Sequence, residues 1–471
     1  GTIGTGVSGT GPIVVFDAKA EKSVVISAHN NFMIANQAME NNTLQYGIMS
    51  SVMEIPAAFQ VETVIVLSSG INKAMDAWGD VLLARSGKVR DAYRRDFATQ
   101  YLGYSTDNGA YYYYQTEKNK NYEDTLLDVH AYAEQEKIPY RYVLLDSWWY
   151  YKGQGGGVAT WDPRPDVFPE GSLAPFYQKT GWIGQLHNRY WSLDTPYATK
   201  NGGKYNFFYD DSTVTWPNDQ TFWDDLIANK STGAEKMFMY EQDWLDTEFD
   251  RMNHLRRDAN AAATWLQQMN DGCAKSNVTI QYCMSHVRHI LQSTELKQVT
   301  NARASGDYHP GSGQWNIGFT SVLAHAVGIA PSKDNYWSTP KQSGTHYGPS
   351  TSEPHGPLQS AVLTLSDGPV CPSDAVNASN ASLILHACDA SGRLLRPDRP
   401  ATAIDDQFVS GAFGGALSDG QVWLTHANVS GAQYSYVLVP TLKTAYSMSS
   451  SQLGYTDEKL IAVHQNNVNN A

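Results

Sequence analysis

From Pro12 to about Ser69 the apolar positions fall in short β-type runs, Ile13-Val14-Val15-Phe16, Ser23-Val24-Val25-Ile26 and Glu62-Thr63-Val64-Ile65-Val66-Leu67, separated by turns containing Asn and Gly. β-branched side chains at this density suit a pleated surface, so the segment predicts antiparallel sheet. The period then lengthens. From Ile71 to about Gly87, Ala74, Trp78, Val81 and Leu82 recur at three- and four-residue spacing, which predicts a helix leading into a second region.

Between about 99 and 400 the texture is strand, loop, helix, repeated. Tyr140-Arg141-Tyr142-Val143-Leu144-Leu145 follows the helical stretch Tyr122 to Lys137, and further strands are expected at Gly184 to Asn188, Met237 to Tyr240, Thr279 to Cys283, Thr300 to Arg303 and Gly368 to Val370. Helices are expected between them, at Thr247 to Met269 and Trp315 to Val327 among others. One unbroken alternation of this length predicts an α/β fold, a (β/α)8 TIM barrel. After Asp405, Phe408-Val409, Gln421 to Thr425 and Tyr434 to Val439 read as strands, with turn residues Gly414, Gly415 and Gly431, and the end Asn466 to Ala471 reads as unstructured. The expected organisation is therefore a β-rich segment and connecting helix over 1–98, the (β/α)8 barrel over 99–405 and an antiparallel domain over 406–471, so that β-sandwich segments flank the barrel.

Composition narrows the partners. The 471 residues carry 34 basic and 47 acidic side chains, and 34 − 47 leaves −13, with 12% aromatic residues. Ring and apolar content at that level excludes global disorder. An acidic chain is a poor binder of phosphate backbones, so neither nucleic acid nor an anionic membrane surface is an expected partner. No window approaches the ~18 apolar residues of a spanning helix. Asn41, Asn229, Asn277, Asn377, Asn380 and Asn428 open acceptor sequons, and four cysteines fall as close pairs, Cys273 with Cys283 and Cys371 with Cys388. Together these predict a secreted, extracellular glycoprotein with two disulfides, in any of three connectivities; the alternative is four buried free thiols in a cytosolic enzyme. The start at Gly1, with no charged and apolar leader, fits a removed signal peptide or a start within a longer protein. No Cys/His set has metal-site spacing, and His286 with His289 reads as a structural pair, so no metal or cofactor is expected.

In a barrel the carboxyl ends of the strands share one rim, and Asp146, His187, Asn188, Arg189, Asp243, His286, Arg288 and Asp307 all lie at such ends. Asp243 and Asp307 are the carboxylates in the most specific settings, and a carboxylate pair is the minimum machinery for cleaving a glycosidic bond. Trp148, Trp149, Tyr190, Trp191, Trp244 and Trp315 supply rings able to stack on sugar faces. By contrast, Asp210 and Asp211 read as loop solvation, and the Gly153 to Gly157 loop lacks the Lys-Ser/Thr ending of a phosphate loop. Neither Ser147 nor Ser305 sits in a nucleophile elbow.

Arg303-Ala304-Ser305-Gly306-Asp307-Tyr308-His309-Pro310 is similar to the acid/base segment of the raffinose synthase and alkaline α-galactosidase group, within the clan-D retaining α-glycosidases (glycoside hydrolase family 36-like). Leu145-Asp146-Ser147-Trp148-Trp149 resembles its second-strand Asp-Asp-Gly-Trp element, and Tyr240-Glu241-Gln242-Asp243 its fourth-strand Lys-x-Asp nucleophile element. Ser366-Asp367-Gly368-Pro369-Val370, Ser373-Asp374 and Gly392-Arg393-Leu394-Leu395-Arg396-Pro397 resemble its closing segments. The resemblance covers about 100 to 440. It implies Asp243 as nucleophile and Asp307 as acid/base, with Asp146 and Arg303 supporting substrate and the second carboxylate. Trp148, Trp149, His187, Arg189, Glu241 and Trp244 complete the expected sugar contacts. Ser147 and Glu241 stand where the family has Asp and Lys, which separates this chain from galactose recognition as the family practises it. The expectation is a retaining α-glycosidase, α-galactosidase-like, or a transglycosidase, acting on a carbohydrate by double displacement with carboxyl groups about 5–5.5 Å apart. The alternative is an inactive barrel serving as an extracellular carbohydrate-binding or structural protein.

Overall fold

The computed structural model describes residues 10–453 apart from 42, 211–212, 344, 414–420, 441, 444 and 450–451. Gly414, Gly415, Asp211 and the segment Asn466 to Ala471 lie outside the described residues.

Strands β1 (Ile13–Phe16) and β2 (Ser23–Ala28) come first, then the hairpin β3 (Ala35–Glu40) and β4 (Thr43–Ile48), then β5 (Thr63–Ser68). As the alternation predicts, β1, β2 and β5 form an antiparallel sheet, with Val25 opposite Val14 and Val66. Those three valines pack with Ala74, Met75 and Trp78 of the helix Ile71–Ser86. Trp78 also donates its indole N–H to Ser27 Oγ at 2.8 Å, which ties sheet to helix. Gly70 offers that helix no side-chain cap. Asp405 does so from far along the chain, accepting from the amides of Ile71 (2.8 Å) and Asn72 (2.9 Å).

The centre is a curled seven-stranded sheet. Its strands are β6 (Gly103–Ser105), β7 (Tyr142–Leu145), β10 (Ile183–Asn188), β13 (Met237–Gln242), β14 (Thr279–Tyr282), β15 (Val299–Arg303) and β16 (Ala330–Ser332), with the hairpins β8 (Tyr151–Lys152) with β9 (Val158–Thr160) and β11 (Phe207–Phe208) with β12 (Trp216–Pro217) between them. All six pairings are parallel and follow chain order. Helices such as Tyr122–Glu136, Gln220–Ser231 and Ala261–Lys275 cover the outer side, so most residues of the strands are buried, polar ones such as Gln185, Glu241 and Gln281 included. The sheet and its helices make a parallel half-barrel. Beyond β6, Gly103 and Ser105 donate to the carbonyls of Val370 and Pro372 at 3.1 Å, and Pro372 makes a parallel bridge to Tyr336. The C-terminal sheet holds β17 (Thr402–Ala403), β18 (Trp423–Val429) and β19 (Ala432–Leu438), antiparallel throughout.

Three expectations change. The helix expected over Thr247 to Met269 is three helices, Leu245–Arg251, Asn253–Arg257 and Ala261–Lys275, because Met252 and Asp258 take extended backbone angles. Phe408-Val409 lies in the helix Asp405–Ala412, whose first turn holds Asp405 and Asp406, favourable charges for a helix start. The two disulfides are not formed: all four cysteines are free and buried. Cys273 packs inside the main core, Cys283 lies beside the Asp243 carboxyl, and Cys371 meets the Tyr142 hydroxyl at 3.1 Å, so each thiol has its own surroundings.

Candidate active site

One half of the site is built on β7, β10 and β13. Asp146 follows β7, His187 lies in β10 opposite Glu241 of β13, and Asp243 follows β13 with its amide on the Asn188 carbonyl at 2.9 Å. His187 Nε2 stands 3.1 Å from Asp243 Oδ2 and 3.7 Å from Asp146 Oδ1, while its Nδ1 meets the Tyr150 hydroxyl at 3.0 Å. Burial alone lowers the His187 pKa, but Asp146 and Asp243 more than reverse this and raise it, which favours an imidazolium between two carboxylates. The same pair acts on Asp243: burial pushes its carboxyl up, and the His187 hydrogen bond and charge, the Trp244 amide and the Cys283 thiol together hold it below the ordinary value. Asp146 is raised, chiefly by burial. Trp244 bends the chain into the helix Leu245–Arg251 through a left-handed backbone (φ 58°) and donates its amide to Asp243 Oδ1 at 2.7 Å. A non-glycine residue at that angle beside a candidate catalytic carboxylate is strain stored at the site.

The other half centres on Arg303 at the end of β15. Its guanidinium reaches Asp107 at 2.7 Å, Asp334 at 3.1 Å and Asp307 at 3.3 Å. Asp107 follows β6 and Asp334 follows β16, so three strand ends converge on one buried cation. Asp307 is pushed above the ordinary carboxylate value by desolvation first, opposed by Arg303 and reinforced by Asp334, Asp243 and Asp146. Water reaches 71% of its side chain, so these neighbours act on it through a screened path. The structure thus brings Asp146, His187, Asp243, Arg303 and Asp307 into one electrostatically coupled group, with Asp243 and Asp307 displaced in opposite directions.

Other expected contacts lie elsewhere. Trp148 and Trp149 are fully buried; Trp148 stacks on Tyr122 at 3.7 Å between ring centroids and donates to Thr106 Oγ1 at 3.1 Å. Neither ring offers a face to a sugar, because both complete the core beneath the rim. Glu241 is also buried, accepting from Gln185 Nε2 at 3.1 Å and Gln281 Nε2 at 3.4 Å, and burial pushes its carboxyl up to about 7. It belongs to a polar layer inside the sheet rather than to the rim. Trp191 and Trp315 are likewise core rings. Arg189 and the half-buried Trp244 stand together, the guanidinium 4.3 Å from the ring centroid. His286 and His289 cap a helix start, as the structural reading expects, and Arg288 donates to the carbonyls of Met33 and Ala35, away from the site. Asp107, Tyr113, Lys152 and Asp334 escaped the sequence reading, and Cys283 and Tyr150 entered it only as a disulfide candidate and as part of the aromatic cluster after β7. Among the described residues no group of His, Cys, Asp and Glu is placed to hold a metal ion, and no helix is long and apolar enough to cross a membrane.

No protein-family model matches the chain, and no curated protein matches it. Its structure is similar to that of a GH36 alpha-galactosidase from Geobacillus stearothermophilus solved in complex with stachyose, with a TM-score of 0.57 and 12% identity over 90% of this chain and 61% of that one. An alpha-galactosidase from Lactobacillus brevis gives a TM-score of 0.51 at 11% identity, over 87% of this chain and 56% of that one. The chain therefore spans about three fifths of the length of these structures, and the likeness is one of fold.

Proposed function

We propose that the chain is a retaining α-glycosidase, α-galactosidase-like in its chemistry, with Asp243 as nucleophile and Asp307 as acid/base. The observation that carries this reading is the opposite displacement of two carboxyls that share a site: Asp243 held down by the His187 hydrogen bond at 3.1 Å, Asp307 raised by desolvation and then by the neighbouring carboxylates. In the first step Asp243 attacks the anomeric carbon while Asp307 gives its proton to the departing glycosidic oxygen. In the second, Asp307 takes a proton from water, or from a sugar hydroxyl in a transglycosylation, which attacks the same carbon and releases Asp243. Asp146 accepts hydrogen bonds from sugar hydroxyls, and Arg303 keeps Asp307 close to the rim.

We also infer that the half-barrel closes into a (β/α)8 barrel, with Val370 to Ser373 filling the eighth position between β6 and Tyr336. This reading is supported by the hydrogen bonds from Gly103 and Ser105 and by the Tyr336–Pro372 bridge. Secretion and glycosylation are proposed on the six sequons, whose asparagines are all exposed; enzymatic deglycosylation of the secreted protein, with a mass shift, tests this.

A panel of aryl α-glycosides tests the function, with the first-released anomer followed by NMR. Retention, and loss of turnover in Asp243→Asn and Asp307→Asn, is expected. Release of the inverted anomer refutes double displacement. Sugar binding without any turnover instead favours the binding protein.

A further inference from the structure

The site carries two cations that no carboxylate among the described residues meets at ion-pair distance. Arg303 meets three carboxylates and His187 two, as charges withdrawn from water require. Arg189 differs. It is 7% exposed, its one hydrogen bond runs from Nη2 to the Tyr190 hydroxyl at 3.0 Å, and its Nε is buried with no partner. The guanidinium lies between Trp244 and Tyr190, at 4.3 and 4.6 Å from the ring centroids.

Lys152, on the hairpin strand β8, is the second. Its Nζ donates to the Tyr113 hydroxyl at 3.2 Å and lies 4.7 Å from the Tyr113 ring centroid and 5.9 Å from that of Tyr150, with no carboxylate at ion-pair distance among the described residues. Burial and then Arg189 push it down to about 8, while Asp146 pulls it up, so Lys152 stands near enough to both to feel them. Tyr150 in turn bonds His187, which places the two cations beside the candidate nucleophile's partner. Tyr113 and Tyr114, which frame this corner, hold left-handed backbone angles of 43° and 64°. In a chain of net charge −13, two cations without an ion-pair partner among the described residues, set beside the candidate site, call for a counter-charge from the ligand.

We propose that Arg189 and Lys152 bind an anionic group on the sugar, so that the substrate is an acidic glycoside bearing a carboxylate or a sulfate ester. This rests on the glycosidase reading and names its substrate class. The guanidinium of Arg189 keeps N–H donors beyond the one given to Tyr190, which suits the oxygens of such a group, and Lys152 adds a point charge.

Calorimetry with galactose, galacturonic acid and galactose 6-sulfate, beside kcat/KM on the corresponding aryl α-glycosides, tests it. At least one acidic sugar should bind about tenfold more tightly than galactose or better, with the preference falling as salt rises. The carboxylate and sulfate arms tell which group is meant. Arg189→Gln and Lys152→Gln should each abolish the preference and Arg189→Lys restore part of it; the half-buried Lys152 keeps the test open if Arg189→Gln does not fold. Equal or tighter binding of galactose, no binding of any sugar, or a preference untouched in both variants overturns the proposal. Acidic sugars bound in preference but no glycoside cleaved leave it standing and refute the glycosidase; a neutral galactoside cleaved without preference does the reverse.

Discussion

Replacing His187 by Leu removes the cation between Asp146 and Asp243 while keeping the volume. Two buried carboxylates then face each other unpaired, and breaking a buried ion pair from one side costs about 3–5 kcal/mol. For Asp243 the lost hydrogen bond, 3.1 Å long, is of the charged kind worth about 1.5–3 kcal/mol. At about 1.4 kcal/mol per pKa unit, its carboxyl should rise by about one to two units. The pH dependence carries a sign. Asp243 is held below its ordinary value of 3.8, so its contribution to stability is present above that value and is lost as pH falls through the depressed pKa. His187 is raised above 6.5, so its contribution is complete below 6.5 and is lost as pH climbs through the raised value. The deficit of the variant should therefore be largest between those two ordinary values and shrink on either side. Urea unfolding followed by tryptophan fluorescence at a series of pH values measures it, and the acid limb of kcat/KM on a cleaved α-glycoside should move up with Asp243. A deficit constant across pH, or an acid limb that stays in place, refutes the reasoning.

Trp148→Ala should cost about 3–5 kcal/mol in urea unfolding, the value for a buried ring, and leave KM unchanged, because the ring packs on Tyr122 and not on ligand. Gly79→Ala should destabilise by about 1–3 kcal/mol, although alanine is the better helix former, because the added methyl overlaps the Ala326 carbonyl of the helix Ile317–Ala326; the thermal midpoint falls where propensity alone predicts a rise. Asp405→Ala should cost about 1–2 kcal/mol in urea unfolding through the lost cap, and Asp405→Asn less.

The elements that were legible are those whose pattern is long and closed by a local signal. The helix Tyr122–Glu136 begins on Asn121, whose side chain accepts from the Asp124 amide, and ends at Lys137 in the left-handed region. Strands β6 and β16 have three residues each, too few for any period to show, and Asp107 and Asp334 follow those two. The Arg303 cluster was therefore read with one of its three carboxylates. Trp148 and Trp149 were misplaced because an aromatic beside a catalytic-looking Asp has the same sequence signature whether it points into the core or out of it. Phe408-Val409 failed for a related reason, since two apolar residues fit a strand or a helix equally. Cysteine spacing says nothing about which way two thiols face.

The contact between Asp405 and the amides of Ile71 and Asn72 spans 334 and 333 residues of chain. On a ribosome adding about 5–20 residues per second, the first long helix waits about 20–70 s for the carboxylate that completes its start. During that interval its apolar stripe, with Trp78 at the centre, has the early β-strands for a partner but no cap, and until Ile317–Ala326 is made it also lacks the helix that seats against Gly79. Nascent chains arrested before residue 317 should therefore hold that helix less firmly, and offer it to chaperones more readily, than chains that include residue 405.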